Sequence, residues 1–223
     1  NNVKFLKKLA PKNWTAKRKP LVEQISIDEA FLSLEPRRNS LDKLGWSIKE
    51  KIYKWTDIPV SIGIAETKTL AKLANRIAKK SEKAQGMLNL YGSPYLEQAL
   101  KQTEAGDVWQ IGSRSAEKLR EYEILTAWHL REAEHRTIRK LLTVKGARIA
   151  LELRGIKCLP LMPTPPLKKS TACTRHLPQV VTGFRDLCDA LMSFLSAAAA
   201  RMRKSGLSAK TVTVVIGTDR FRP

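Results

Sequence analysis

The stretch "QISIDEAFLSL", residues 24–34, places two carboxylates, Asp28 and Glu29, side by side in a run with the composition of a buried strand. Neighbouring side chains of a regular strand point to opposite faces, so both carboxylates can serve one site only if the backbone turns there. Apolar residues hold mostly odd positions before the pair and even positions after it, which supports a turn. We therefore predict a hairpin bend or bulge that carries Asp28 and Glu29 at the rim of a sheet.

Two readings of this carboxylate pair are open. Paired carboxylates at a rim are a common way to hold hard divalent cations such as Mg²⁺ beside phosphate oxygens. Acidic residues are also frequent as solvated turn residues, and the dipeptide alone favours that second reading.

A row of polar side chains on a later helix adds support to the reading of the carboxylate pair as a metal site. The strand predicted for "IPVSIGIA", residues 58–65, leads into a helix with an apolar stripe on one face. The opposite face carries residues at spacings of four, three and four: Lys68, Lys72, Asn75 and Lys79. Such a row is ordinarily a solvated helix face, but beside a metal-binding carboxylate pair it would suit a nucleoside triphosphate.

The excess of basic residues favours a protein that binds polyanions. The chain has 223 residues, with 41 Lys and Arg against 21 Asp and Glu and a formal charge of +20, which attracts polyanions such as nucleic acids. No apolar run approaches the roughly 20 residues of a membrane span, and the first residues do not resemble a secretory signal. Cys158, Cys173 and Cys188 are widely spaced, as expected of reduced packing cysteines in a cytoplasmic protein.

The order of patterns predicts an α+β multidomain protein. Strands and helices alternate first, helices broken at Gly106, Gly112 and Gly146 follow, and a strand, a helix and a strand come last. Ser40 is a predicted N-cap, whereas Trp46 and Trp55 are predicted to fill the core and the three histidines to be structural. The predicted segments are a basic lead-in (1–20), an α/β unit (21–95), an all-α unit (96–157), a proline-rich linker (158–168) and a partial βαβ unit (169–223).

Several motifs together resemble the Y-family translesion DNA polymerases. "SIDEAF" followed by "IPVSIGIAETKTLAKLANRIAK" is similar to their palm domain. "VWQIGSRSAEKL" resembles the thumb, "LELRG" its end and "STACTRHL" the start of the little finger. The likeness runs in order from about residue 22 to the end and is greatest to the catalytic subunit of the bacterial SOS mutagenesis polymerase.

This resemblance implies a partial palm, a helix-hairpin-helix thumb and a partial little finger with a βαβ pattern. It implies error-prone, DNA-directed DNA synthesis, in which a primer 3′ hydroxyl attacks the α-phosphate of a deoxynucleoside triphosphate at two bound Mg²⁺ ions. Asp28 and Glu29 would bind the metal, Lys79 would contact the triphosphate, and Lys72 is a second candidate for that contact.

The resemblance also implies contacts with DNA. Gly112 would let the thumb backbone approach a phosphate, with Arg114, Ser115 and Lys118 as electrostatic support, although a Gly-Ser turn before a charged helix is by itself an ordinary capped helix. Arg175, on the first strand predicted after the linker, matches a position that faces the DNA backbone.

The family site needs a third carboxylate on an N-terminal strand, and residues 1–22 contain no Asp or Glu. We expect that strand, the fingers and the C-terminal clamp motif to be missing from these residues, and the chain by itself to be a weak or inactive polymerase. Primed DNA and a nucleoside triphosphate are the implied ligands, and a UmuD-type accessory subunit, RecA and a sliding clamp are the implied partners. The alternatives are a non-catalytic DNA-binding remnant that holds the duplex through its phosphates and a structural RNA-binding protein.

Overall fold

The computed structural model describes residues 21–34, 41–164, 169–177 and 181–217. The chain forms two compact units, Asn1–Thr164 and Pro165–Pro223. The predicted lead-in (1–20), the Ser40 N-cap and linker residues 165–168 lie outside the described residues. The finer division into palm, thumb, linker and little finger stays a prediction.

The first unit begins with two strands, alternates helices with strands as far as Asn89, and is helical after it. Its elements are β1 (Val22–Gln24), β2 (Ala30–Leu32), α1 (Leu41–Thr56), β3 (Ile62–Ile64), α2 (Lys68–Lys80), β4 (Met87–Asn89), α3 (Leu96–Gln102), a 3₁₀ turn (Ala105–Asp107), α4 (Ser113–Glu121), α5 (Ala127–Glu132) and α6 (His135–Leu153). The second unit contains α7 (Phe184–Lys204).

Strand β1 pairs with β2 as an antiparallel hairpin, in the register Val22 to Leu32 and Gln24 to Ala30. Residues 26–28 form the bend between the two strands. The predicted turn at the carboxylate pair is therefore confirmed, and it is what allows neighbouring side chains to leave the strand alternation.

Strand β3 pairs with β4 in parallel, with α2 as the crossover. Helix and strand approach closely at Gly63, where a Cβ atom would lie 2.2 Å from the carbonyl oxygen of Ala71 and from the amide nitrogen of Asn75. Only glycine fits this contact, because any side chain would overlap the helix backbone.

The predicted helix over the lysine row is confirmed as α2. Its N-cap is Thr67, whose hydroxyl accepts a hydrogen bond from the Leu70 amide at 3.2 Å. The predicted apolar stripe faces inward, with Leu70 and Ala74 fully buried. This face therefore fixes the direction of the opposite, lysine-bearing face.

The hydrophobic core of the first unit extends from α2 through α3 to α6 without a gap at the predicted boundary near residue 95. The prediction that 96–157 is helical is confirmed, but the break predicted at Gly146 is wrong. Gly146 lies inside α6, and the backbone departs from helical geometry at Thr143, with φ 64° and ψ −168°. The kink brings Leu142 so close to Gly146 that a Cβ atom there would lie 2.2 Å from the Leu142 Cβ.

Two further predictions are wrong for the described residues. Trp55 is 48% exposed rather than buried, because it lies in the last turn of α1, away from the core. In the second unit α7 is confirmed, but residues 169–177 and 209–217 form no strand. Alternating apolar residues indicate a capacity to pair, whereas a strand also needs a partner for its backbone hydrogen bonds.

Within the described part of the chain, the helices are too short or too polar to cross a bilayer.

Candidate metal and nucleotide site

The hairpin bend presents Asp28 and Glu29 together on an exposed tip. The amides of Ile25 and Ser26 donate to the Glu29 carbonyl at 2.9 and 3.3 Å and close the bend. These backbone bonds close the bend that carries the two adjacent carboxylates at the hairpin tip.

Asp28 is held as a carboxylate by its neighbours. The Ser26 hydroxyl donates to Asp28 Oδ1 at 2.5 Å, and this bond lowers the pKa of Asp28 below its ordinary value of 3.8. The backbone amide of Asp28 lowers that pKa further, as do the positive charges of Lys72 and Lys79. Asp28 is therefore an anion at neutral pH, which is the form that a cation requires.

Glu29 is paired with helix α2. The Lys72 ammonium donates to Glu29 Oε1 at 2.6 Å, and both side chains are partly exposed. Since a carboxylate has two oxygens and Lys72 is bonded to one of them, the pair does not prevent Glu29 from offering the other oxygen to a cation.

The rest of the predicted row divides into structural and exposed residues. Lys68 forms an ion pair with Glu23 and donates to the Pro160 carbonyl at 2.8 Å, while the Asn75 amide donates to the Ser61 carbonyl at 2.6 Å. Lys79 is exposed, and its charge acts on Asp28. The structure thus brings Lys72 and Lys79 near the carboxylates and uses Lys68 and Asn75 to hold α2 in place.

The donor set fits a hard divalent cation. Carboxylate oxygens are the ligands that Mg²⁺ prefers, and Mg²⁺ is commonly held by one or two carboxylates together with waters and substrate phosphates. No cluster of three or more His, Cys, Asp or Glu side chains with metal-binding geometry occurs within the described residues. Two exposed carboxylates on one hairpin tip fit a site in which phosphate oxygens and waters would supply the remaining ligands.

The residues predicted to contact DNA from the thumb meet at the start of α4. Gly112 is the N-cap, and a Cβ atom at this position would have no neighbour within 4 Å. Arg114 and Lys118 are exposed on the first turns of the helix, with Ser115 partly buried between them. The backbone at Gly112 is therefore open to an approaching group, and two cations flank it.

Arg175 lies in the second unit and is exposed. The strand on which it was predicted is not formed in the described residues, so its role as a DNA contact stays a prediction.

Sequence reasoning missed three residues that support the hairpin: Ser26, Glu23 and Trp109. Ser26, two residues before Asp28, fits the common pattern in which a hydroxyl bonds to the next turn residues, so a signal was available. Trp109 meets Phe31 edge to face, with ring centroids 5.3 Å apart. No sequence pattern signals this contact, because the two rings are far apart along the chain.

Comparison with known proteins assigns the family. A model described as the impB/mucB/samB family matches residues 10–76, and the model of that family's C-terminal domain matches residues 168–222. Protein UmuC of Salmonella typhimurium is 36% identical over 205 residues, which cover 91% of this chain and 49% of that protein. Protein MucB of Escherichia coli is 33% identical over 202 residues, which cover 90% of this chain and 48% of that protein.

Solved structures show the same fold. A Y-family DNA polymerase chimera aligns with a TM-score of 0.64 at 23% identity, covering 89% of this chain and 55% of the other. A DinB family error-prone DNA polymerase from Sulfolobus solfataricus aligns with a TM-score of 0.51 at 21% identity, covering 89% and 56%. At these identities the likeness concerns the fold alone.

The chain spans about half the length of the curated relatives it matches. The two family models match residues 10–76 and 168–222, and UmuC and MucB align over about nine tenths of the chain. The chain therefore belongs to the impB/mucB/samB family, with a UmuC-like sequence and the fold of the Y-family DNA polymerases.

Proposed function

We propose that this chain binds primed DNA and a deoxynucleoside triphosphate with a divalent cation, as part of template-directed DNA synthesis of the error-prone translesion type. The observation that carries the proposal is the placement of Asp28 and Glu29 on one hairpin tip, opposite the cationic face of α2. Membership of the family supports it, since relatives carry names such as UmuC and DNA polymerase IV.

The proposed reaction joins a primer 3′ hydroxyl to the α-phosphate of the nucleotide and releases pyrophosphate. Asp28 and Glu29 would hold Mg²⁺, which when bound neutralises the charge that develops on the phosphoryl oxygens. Lys79, which is exposed, would attract and orient the triphosphate. Lys72 would pass from Glu29 to a phosphate oxygen when Glu29 binds the cation.

The start of α4 would hold the DNA backbone. First-turn amides of a helix point away from the helix ladder and bind phosphate oxygens, and the open backbone at Gly112 permits close approach. Arg114 and Lys118 would add charge, Ser115 a hydroxyl, and Arg175 a contact from the second unit. The UmuD-type accessory subunit, RecA and the sliding clamp remain proposals that rest on the family resemblance.

Isothermal titration of the chain with a deoxynucleoside triphosphate tests this function. We expect binding that requires Mg²⁺ and weakens at least about tenfold in Asp28→Ala and Lys79→Ala, because each loses a charged contact in the site. Lys80→Ala is the matched control, since Lys80 is the adjacent exposed lysine but points about 100° away around the helix. Binding that ignores Mg²⁺, or that Lys80→Ala weakens equally, would contradict the proposal.

A second candidate function is a DNA clamp without catalysis. The open backbone at Gly112 and the exposed cations Arg114 and Lys118 favour it, because they can hold DNA phosphates without a metal ion. A clamp would bind duplex DNA in a salt-sensitive way and would show no Mg²⁺-dependent affinity for a triphosphate. The same titrations, repeated with primed DNA and with structured RNA, therefore separate the polymerase site, the clamp and an RNA-binding protein.

A further inference from the structure

The segment that follows α6 is hydrogen-bonded to side chains of the first unit through four backbone groups. We call residues 158–162 the connector. The amides of Cys158 and Leu159 donate to Glu152 Oε1 at 3.0 and 2.9 Å. Lys68 donates to the Pro160 carbonyl at 2.8 Å, and the Met162 amide donates to Glu23 Oε2 at 3.0 Å. Although the proline-rich stretch 158–168 was predicted as a linker, the connector at its start is bound by charged side chains from three elements: α6, α2 and β1.

Glu152 joins the connector to the start of α2. Its side chain is completely buried, and its second oxygen accepts from the Thr69 amide at 2.9 Å and from the Thr69 hydroxyl at 3.0 Å. Its backbone carbonyl accepts from the Thr67 hydroxyl at 2.9 Å. A carboxylate at a helix N-terminus is favoured by the unpaired amides there, so one buried group satisfies donors from both the helix and the connector.

Glu23 and Lys68 join the same connector to the carboxylate hairpin. They form an ion pair whose side chains are 13% and 9% exposed, and each also binds a backbone group of the connector. Glu23 lies opposite Phe31 in the hairpin register, and the Lys68 ammonium is 5.3 Å from the Phe31 ring centroid. The base of the hairpin, the first turn of α2 and the connector therefore meet at one place.

The hairpin depends on these contacts for its position. The hydrophobic core cluster of the unit is built from residues of α2 and later elements, so it does not include the hairpin strands. Val22 of β1 is buried, and the hairpin also meets the rest of the unit through polar and ring contacts such as Glu23 with Lys68, Glu29 with Lys72 and Phe31 with Trp109. Polar contacts of this kind align groups more strictly than apolar packing does, because hydrogen bonds weaken steeply with angle.

We propose that Glu152 is a positioning residue which, through the connector, sets where the Asp28–Glu29 hairpin stands relative to the lysines of α2. The connector is thus part of the scaffold of the candidate site, and its release from Glu152 loosens the hairpin at Glu23. The part of this inference that concerns ligand affinity rests on the proposed function, whereas the coupling between Glu152 and Glu23 does not.

Amide hydrogen exchange tests the coupling directly. In Glu152→Gln one side-chain oxygen remains for donors that two oxygens served, so the bonds to the amides of Cys158 and Leu159 weaken, and we expect these amides to exchange about tenfold faster or more. The Met162 amide, whose own acceptor Glu23 is unchanged, should also exchange at least about threefold faster because the connector is freed. Glu66→Gln is the matched control: Glu66 accepts from the Gly92 amide at 2.8 Å beside the same helix start, and it should leave all three amides unchanged.

The reciprocal variant keeps the test decisive if Glu152→Gln does not fold. Glu23→Gln alters a residue near the surface, and it should accelerate exchange at Cys158 and Leu159, whose acceptor is intact. Acceleration confined in each variant to the amides bonded to the altered carboxylate would overturn the proposal, because the connector would then not transmit the change.

A second measurement connects the coupling to the site. We expect Glu152→Gln to weaken Mg²⁺-dependent triphosphate binding about three- to tenfold, and Glu66→Gln to leave it unchanged. Unchanged affinity in Glu152→Gln, with binding intact in the unaltered chain, would overturn the positioning role. A lack of binding in the unaltered chain would instead contradict the proposed function, and the exchange rates would still decide the coupling.

Discussion

At the scale of single residues, the chemistry of the candidate site is set by what each carboxylate is bonded to. Asp28 accepts a hydrogen bond from Ser26 within the same bend, whereas Glu29 accepts one from Lys72 of α2. The sequence predicted both carboxylates and Lys72, because these residues follow a motif and a helical period. It did not predict the Glu29–Lys72 pair, because that contact depends on how the hairpin meets the helix.

Removing the Ser26 hydroxyl should change the titration of Asp28. The hydrogen bond from Ser26 is the largest cause that lowers the pKa of Asp28, so Ser26→Ala should move that pKa upward toward 3.8. Carboxyl-carbon NMR titration measures this shift. Ser33→Ala, in the same segment, should leave the Asp28 pKa where it is, and an equal shift in both variants would contradict the assignment.

The lowered pKa of Asp28 also determines how its contribution to the stability of the fold changes with pH. A carboxyl whose folded pKa lies below its unfolded value stabilises the fold above the unfolded pKa and loses that contribution as the pH falls through the folded pKa. The contribution of Asp28 is therefore complete at neutral pH, begins to decrease near the unfolded pKa of about 3.8, and is lost as the pH falls through the lower folded pKa. Since Asp28 is exposed, we expect this effect on the midpoint of acid unfolding to be small.

At the scale of elements, the site depends on how closely α2 lies against β3. The sequence predicted the strand, the helix and the lysine face from the 3.6-residue period, and all three are confirmed. It could not predict the buried Glu152 as a support of α2, because a glutamate in a helix is ordinarily an exposed residue and the Thr69 donors that it accepts from lie far away along the chain. The sequence also predicted strands at residues 169–177 and 209–217 of the second unit, and the described residues do not form them.

Gly63→Ala should destabilise the fold more than Gly112→Ala. A Cβ atom at Gly63 would overlap the backbone of α2, so we expect a loss of at least about 1–3 kcal/mol in the free energy of unfolding. Gly112 has open space, and alanine there should cost no more than about 0.5–1 kcal/mol, from its lower preference for the N-cap. Urea unfolding measures both, and similar losses in the two variants would contradict the close contact at Gly63.

At the scale of the whole molecule, the dominant property is charge. The formal charge of +20 is spread over structured segments as well as the N-terminal residues. The sequence alone predicted an attraction to polyanions, and the proposed function makes DNA that polyanion. Charge alone does not identify which cations touch phosphates, since every exposed lysine adds to the same field.

The dependence of DNA affinity on salt can identify those contacts. We expect binding of a primed duplex to weaken between 50 and 200 mM salt by roughly ten- to a thousandfold, as counterions are released from the DNA. The double variant Arg114→Ala with Lys118→Ala should lower the slope of log affinity against log salt by about two. The control Lys43→Ala with Lys54→Ala removes the same charge from exposed positions of α1, and an equal change of slope would contradict the contact at α4.

The central claim is that Asp28 and Glu29 form a divalent-cation site at the tip of the hairpin, and paramagnetic broadening by Mn²⁺ tests it most directly. Substoichiometric Mn²⁺ should broaden the amide NMR signals of residues 26–30 before those of other described residues, since broadening falls steeply with distance from the ion. Mg²⁺ in excess should restore the signals, and Asp28→Asn should abolish the effect while Glu121→Gln, an exposed carboxylate of α4, should not. Broadening that spares the hairpin, or that survives in Asp28→Asn, would contradict the account.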